Sequence, residues 1–153
     1  MSTFVQTNVF TDIDCQSTKA AALTAFAGKI STTNALDKSA LVQGFLAREA
    51  ESTTGFGNGV AIPHTKITGI SEPIVSVISF QHPVDWTSLD DQPVEIAIGL
   101  VMPQTGADQD HLKVLSKLAR KLMDTDFIAA LQAARHDASQ LYQVIQSNVD
   151  LSH

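Results

Sequence analysis

The chain has a single cysteine, Cys15, in 153 residues. That excludes a disulfide framework within the chain and suits a reducing compartment. Lys19 is the only basic neighbour that would lower the thiol's pKa, so Cys15 reads as structural or incidental, not as a nucleophile. Basic charge is also scarce: ten Lys and Arg stand against sixteen Asp and Glu, for a formal net charge of -6. That balance argues against nucleic acid as a main partner. No apolar run approaches a membrane span. Residues 1–6 carry neither the basic n-region nor the long apolar core of a signal peptide, so the expected location is cytoplasmic. Several catalytic signatures are missing as well. The glycine-rich stretch does not end in Gly-Lys-Ser/Thr, so it is no Walker loop. There is no Gly-x-Ser-x-Gly elbow. No His-x-His, His-x-x-x-His or Cys-x-x-Cys spacing marks a metal site.

What is present is ordinary for a globular protein: 44% hydrophobic and 17% charged residues. The length fits one domain, 1–153, with room for a core. Asn8 to Ile13 reads as a short edge strand. Asp14 or Ser17 is a candidate cap for a helix to about Ile30, with Ala20, Leu23, Ala27 and Ile30 on one face. Asp37 caps a second helix carrying Leu41, Val42, Phe45 and Leu46, with Arg48 near its end. Strands follow at Val60 to Ile62, Pro73 to Phe80, and Val94 to Met102; the last is apolar enough to be buried on both faces. Pro103 stops it. Asp108 or Asp110 opens a third helix with core positions Leu112, Leu115, Leu118, Ala119 and Leu122. A short helix holds Phe127, Ile128 and Leu131. A last one, from Asp137 with Gln140 three residues on, buries Leu141, Val144 and Ile145. Helices, then strands, then helices predict an α/β or α+β domain, a mixed sheet flanked by helices.

The most informative stretch is Gly55-Phe56-Gly57-Asn58-Gly59-Val60-Ala61-Ile62-Pro63-His64. Glycines at 55, 57 and 59 allow sharp bends and bring bare N–H groups close to a ligand, which makes Gly55, Gly57, Asn58 and Gly59 a candidate phosphate cradle. Pro63 fixes φ and biases Ile62 toward an extended shape, so His64 follows a rigid strand end. An imidazole there is nucleophilic and easily protonated near pH 7. The plainer reading is a histidine hydrogen-bonded at a strand end. His111 sits in the first turn of the third helix, after Asp110 and near Asp108. The helix dipole there disfavours imidazolium while the carboxylates favour it; the plainer reading is a surface histidine. Both histidines follow strands and so can share the sheet edge where α/β folds bind ligands. Arg48 can fork two phosphoryl oxygens, or simply serve the dipole at its helix C-terminus. His82 in a loop before Pro83, His136 in a helix–helix turn and His153 read as solvated.

These residues resemble a known family. Arg48-Glu49, Thr53-Thr54 with the glycine stretch through Ala61-Ile62-Pro63-His64, Pro83-Val84-Asp85-Trp86, Gln92-Pro93-Val94 and His111 through Ala119 are similar to the enzyme IIA domains of the fructose–mannitol class. These domains belong to the bacterial phosphoenolpyruvate-dependent sugar phosphotransferase system. The resemblance spans nearly the whole chain; its specific part is Ala-Ile-Pro-His with the upstream glycines. Phe56 departs from the usual aliphatic residue. The resemblance implies a mixed sheet with packed helices, and a phosphocarrier that uses no metal or cofactor. His64 would accept a phosphoryl group from the carrier HPr and pass it to a IIB domain for sugar or sugar-alcohol uptake. His111 would support the phosphoryl group, and Arg48 would be the active-site arginine. His64 is expected in a shallow, partly exposed depression rimmed by apolar residues, Phe56 among them. Two other readings stay open: a nitrogen-type regulatory IIA protein with the same histidine signature, and a small metal-binding module built on His64 and His111.

Overall fold

The computed structural model describes residues 4–104 and 108–149, with the backbone alone for 108–112. Among these residues it contains six strands and five helices in one mixed sheet between two helical layers. The elements are β1 (Val9–Ile13), α1 (Lys19–Asn34), α2 (Lys38–Glu51), β2 (Gly55–Gly57), β3 (Val60–Ala61) and β4 (His64–Ile67). They continue with β5 (Ile74–Val84), β6 (Val94–Pro103), α3 (Asp108–Lys121), α4 (Thr125–Ala134) and α5 (Ala138–Asn148). Strand order is β1-β5-β6-β3-β2, with β4 also on β6.

The expected strand Val60 to Ile62 is one half of an interrupted strand. β3 pairs in parallel with β6 at Ile96 and Ala97, and β4 resumes the same pairing from Leu100 to Pro103. Pro63 lies between them and has no N–H to give the ladder, but its carbonyl accepts from Leu100 N at 3.0 Å. His64 therefore does not follow a free strand end. It opens the next strand segment, opposite Leu100.

The side chains of β5 and β6 alternate between two cores. Val75, Val77, Ile96, Ile98 and Leu100 pack with Val114, Leu118 and Leu122 of α3, Phe127 and Leu131 of α4 and Leu141 and Ile145 of α5. Ile78, Phe80, Ala97 and Val101 pack with Leu23, Phe26 and Ile30 of α1 and Leu41 and Phe45 of α2. Gly99 makes room in the second core. A Cβ there would lie 2.6 Å from the Phe26 ring.

Several boundaries differ from expectation. Thr18, not Asp14 or Ser17, caps α1 by accepting from Ala21 N, and α1 runs on to Asn34, where Ala35 ends it in the left-handed region. Ala20 and Leu46 are exposed; Ala22 and Phe26 join the core of α1 instead of Ala20, and α2 buries Leu41 and Phe45 without Leu46. The Pro73 to Phe80 strand extends to Val84, so His82 and Pro83 lie in β5 instead of a loop. Pairing with β6 is irregular between Ser79 and Val84, which is where a strand tolerates proline. Asp37 caps α2, and Asp137 caps α5 by accepting from Ser139 N and Gln140 N. Leu112 and the ring of His111 lie outside the described residues; the His111 backbone is in the first turn of α3.

Candidate functional site

The imidazole of His64 is held on both nitrogens. Nδ1 lies 3.0 Å from the Ile62 carbonyl oxygen. A carbonyl only accepts, so Nδ1 carries the proton and Nε2 the lone pair. On the other side Arg48 Nε donates to Nε2 at 3.0 Å. Both contacts demand the same tautomer. The ring is half-buried, and burial pushes its pKa down from the ordinary value of 6.5. The Ile62 carbonyl works upward, Arg48 downward, and Glu49 and Glu51 upward. The net result is a neutral imidazole at pH 7 with one available lone pair.

Arg48 takes the helix-end role expected of it and also reaches His64. It lies in the last turn of α2, where its Nη1 donates to the Ser52 carbonyl at 2.9 Å, satisfying a helix-end acceptor. The same guanidinium presents Nε to His64. The two residues are sixteen positions apart and meet because α2 packs directly on β4. Gly44 permits that approach: a Cβ there would stand 1.9 Å from Thr65 Oγ1.

A cavity of about 220 Å³ opens beside His64. Its apolar rim is Phe56, Ile62, Leu89, Leu115 and Ala119, and its polar wall is Arg48, Thr53 and Thr54. This is the expected shallow depression, with Phe56 in the expected place. α3 contributes Leu115 and Ala119, four and eight residues after His111. A larger open groove of about 870 Å³ runs along the outer face of α1, and none of the site residues lines it.

The expected cradle needs correction. Gly55 lines the cavity, but Gly57, Asn58 and Gly59 do not. Gly57 ends β2, and Asn58 and Gly59 form the turn of the β2–β3 hairpin, with φ of 124°, 57° and 82°. Their polar groups serve the fold. Asn58 N donates to Asp90 Oδ2 at 2.9 Å, and the Gly59 carbonyl accepts from Glu95 N and Ile96 N. Gly55 N itself donates to Thr53 Oγ1 at 3.0 Å. Gly55 and Gly57 leave room for close packing on Ser88 and Asp90, Gly59 for Gln132, and the amides of Gly55 and Asn58 are already committed within the fold.

His82 and His136 stand apart from the site. His82 is exposed on β5, and His136 is exposed and hydrogen-bonded through Nδ1 to the Asp12 carboxylate. His153 lies outside the described residues. Burial raises the Cys15 thiol's pKa, with Asp14 adding to the effect, so a nucleophilic thiolate is disfavoured. Among the described residues no three His, Cys, Asp or Glu side chains gather to hold a metal, and no helix is long and apolar enough to cross a membrane.

The model of the "Phosphoenolpyruvate-dependent sugar phosphotransferase system, EIIA 2" family matches residues 3–148. The chain belongs to this family. This IIA chain is 37% identical over 109 residues to the nitrogen regulatory protein of Pseudomonas aeruginosa, covering 71% of itself and 70% of that protein. It is 36% identical over 101 residues to the fructose-like EIIA component of Escherichia coli K12, covering 66% and 68%. Its fold matches the nitrogen regulatory protein IIA-Ntr of Neisseria meningitidis with a TM-score of 0.80 at 24% identity, over 92% and 94% of the two chains. It also matches Escherichia coli IIAMTL, solved in complex with phosphorylated IIBMTL, with a TM-score of 0.72 at 18% identity over 96% and 99%. The α/β class and mixed sheet expected from the sequence are those of this fold.

Sequence reasoning quoted Glu49 and Thr54 only as part of the signature, without a role, and missed Ser52 and Leu89. Glu49 had a legible signal: it continues the i, i+4 core stripe Leu41–Phe45, an acid where an apolar residue belongs. Ser52, Thr54 and Leu89 carry no such signal, because loop geometry alone brings them to the site.

Proposed function

We propose that His64 Nε2 is the phosphoryl acceptor of this IIA chain, taking the group from the phosphohistidine of HPr and passing it to a IIB partner in the cytoplasm for sugar or sugar-alcohol uptake. The observation that carries the reading is the matched pair of contacts on the ring: Ile62 O on Nδ1, Arg48 Nε on Nε2. The first leaves the lone pair on Nε2, the nitrogen that meets Arg48, another residue of the cavity wall. The second puts a cation where phosphoryl oxygens would arrive.

The step balances simply. The Nε2 lone pair forms the new N–P bond as the donor's N–P bond breaks, and the donor imidazole leaves with the pair. His64 keeps its Nδ1 proton, and the positive charge that the ring acquires is met by the Ile62 carbonyl. In-line positioning and charge neutralisation are what such a transfer needs from a protein. Arg48 would exchange its bond to Nε2 for bonds to phosphoryl oxygens. His111, whose helical spacing aligns it with Leu115 and Ala119, would add a second donor. The apolar rim suits brief docking of two successive protein partners.

Metal binding at His64 is disfavoured on electrostatic grounds, since Arg48 already stands 3.0 Å from the one available lone pair. A regulatory role is the stronger alternative. The likeness to nitrogen regulatory proteins favours it as much as the fructose-like relative favours transport. The two share the histidine chemistry and differ in what receives the signal.

Incubation with phosphoenolpyruvate, enzyme I and HPr should give an acid-labile, base-stable phosphate on His64. Labelling of His64→Ala would refute the assignment. His111→Ala should be labelled yet pass the group onward poorly; normal onward transfer would remove its role. Transfer from the labelled chain to a fructose-type IIB would select transport over regulation.

A further inference from the structure

We propose that Glu49 is a positioning residue of this site: through Thr54 it fixes both groups that hold His64, the Ile62 carbonyl on Nδ1 and the Arg48 guanidinium on Nε2. The inference rests on the reading of His64 as phosphoryl acceptor.

Glu49 is buried at the third position of the stripe Leu41, Phe45, Glu49. A carboxylate there must be fully paired to be tolerated, and it is. Lys19 Nζ of α1 lies 3.2 Å from Oε1. Thr54 N donates to Oε1 at 3.1 Å and to Oε2 at 3.2 Å, and Thr54 Oγ1 donates to Oε2. A leucine at this position would pack without any of these partners, and buried ion pairs add little stability over such a residue. The placement therefore calls for a role other than packing.

Two short paths run from Thr54 to the imidazole. In the first, the Thr54 carbonyl accepts from Ile62 N at 2.9 Å, and the Ile62 carbonyl accepts from His64 Nδ1 at 3.0 Å. In the second, the Glu49–Thr54 clamp closes the chain from the end of α2 into β2, holding Ser52 between them. The Ser52 carbonyl accepts from Arg48 Nη1 at 2.9 Å, and Arg48 Nε donates to His64 Nε2 at 3.0 Å. One buried carboxylate thus sets both faces of the ring. The consequence is chemical. Histidine free in water favours the proton on Nε2, where it blocks nucleophilic attack by that nitrogen; this site needs the proton on Nδ1. Loosening the clamp lets the tautomer revert.

The test compares the unsubstituted chain with Glu49→Leu, which keeps the buried volume, and Glu49→Gln, which keeps one acceptor for Thr54 N but forms no ion pair with Lys19. Three quantities are read: thermal unfolding, the His64 ring nitrogen-15 shifts that report the tautomer, and the rate of phosphoryl transfer from phosphorylated HPr. We expect folded Glu49→Leu to lose the Nδ1–H signature and to drop kcat by about tenfold, the scale of one hydrogen bond to a charged group, with KM little changed. Glu49→Gln should fall between. A folded Glu49→Leu with the wild-type tautomer and kcat overturns the proposal. If that variant does not fold, Glu49→Gln decides in the same way, and wild-type values there overturn it. The ring signature tests Glu49 whether or not His64 carries phosphate. Failure of the acceptor assignment would show separately, as labelling of His64→Ala.

Discussion

Gly44→Ala separates the demands of the site from those of the fold. On an exposed helix the change would stabilise by about 1 kcal/mol through helix propensity. Here the new Cβ would lie 1.9 Å from Thr65 Oγ1 and 3.0 Å from Thr65 Cβ. Thr65 is buried, and β4 is held in the ladder of β6, so the threonine has little freedom to retreat. Overpacking of this kind costs about 1–3 kcal/mol. The two effects partly cancel, and net destabilisation should be modest, at most about 2 kcal/mol. The sharper effect is geometric. Arg48 is one turn beyond Gly44 on the same helix face. If α2 backs away by about 1 Å to relieve the clash, the Arg48–His64 contact, now 3.0 Å, passes beyond hydrogen-bond length. Losing a bond from a charged donor is worth about 1.5–3 kcal/mol, or roughly 10- to 100-fold in rate. Denaturant unfolding and His64 labelling from phosphorylated HPr would be measured together, with Thr65→Ala and the double variant completing a cycle. Thr65→Ala should restore much of the labelling lost in Gly44→Ala. A Gly44→Ala chain that gains stability and labels at the wild-type rate would refute the packing of α2 on β4 as the device that delivers Arg48.

Other outcomes follow from the same geometry. The His64 ring should titrate below its ordinary pKa of 6.5, chiefly because burial disfavours imidazolium. The neutral acceptor should therefore persist as pH falls past 6.5, and an NMR midpoint above 6.5 would contradict the site. In stability the sign is the reverse of a salt-bridged histidine: the unfolded chain takes the proton first, so stability is full above about pH 6.5 and declines as pH falls toward the folded value. Arg48→Lys should transfer poorly, because a point charge cannot meet Ser52 O and Nε2 together; normal onward transfer would show that charge alone suffices. Leu89, 73% exposed at the cavity rim, has no packing reason to be apolar. Leu89→Ala should raise KM for phosphorylated HPr by about tenfold, as expected for one leucine buried on docking, and lower kcat much less; an unchanged KM would remove Leu89 from the docking surface.

The fold was largely legible in the sequence because its elements announce themselves locally. The β-branched run of β5, the two-faced burial of β6 and the aspartates at 37 and 137 each follow from a short-range rule, and the structure obeys them. Errors fell where tertiary contacts override such rules. Thr18 outcompetes Asp14 and Ser17 as a cap. β5 runs through Pro83 because the ladder is already irregular there. The glycines at 57 and 59 signal special backbone, and the sequence does not tell whether that serves a ligand or a turn; here Asp90 and Glu95 occupy their polar neighbours.

The site was legible only as separate residues, since what joins them is the break in the sheet. An unbroken strand through positions 60–67 would commit its backbone groups to the ladder. Pro63 interrupts it, and around that break the Ile62 carbonyl turns to the Nδ1 of His64 while the Ile62 N–H bonds Thr54. β4 then resumes, so the histidine backbone stays anchored to β6. The proline thus does more than stiffen a strand end. It frees a single carbonyl, in a rigid frame, to choose the tautomer of the adjacent imidazole. Replacing Pro63 with alanine would restore an N–H and invite the ladder to close, and the His64 tautomer should become mixed even if the fold survives. A pure Nδ1–H signal in folded Pro63→Ala would mean that the Glu49–Thr54 clamp alone suffices to aim the ring.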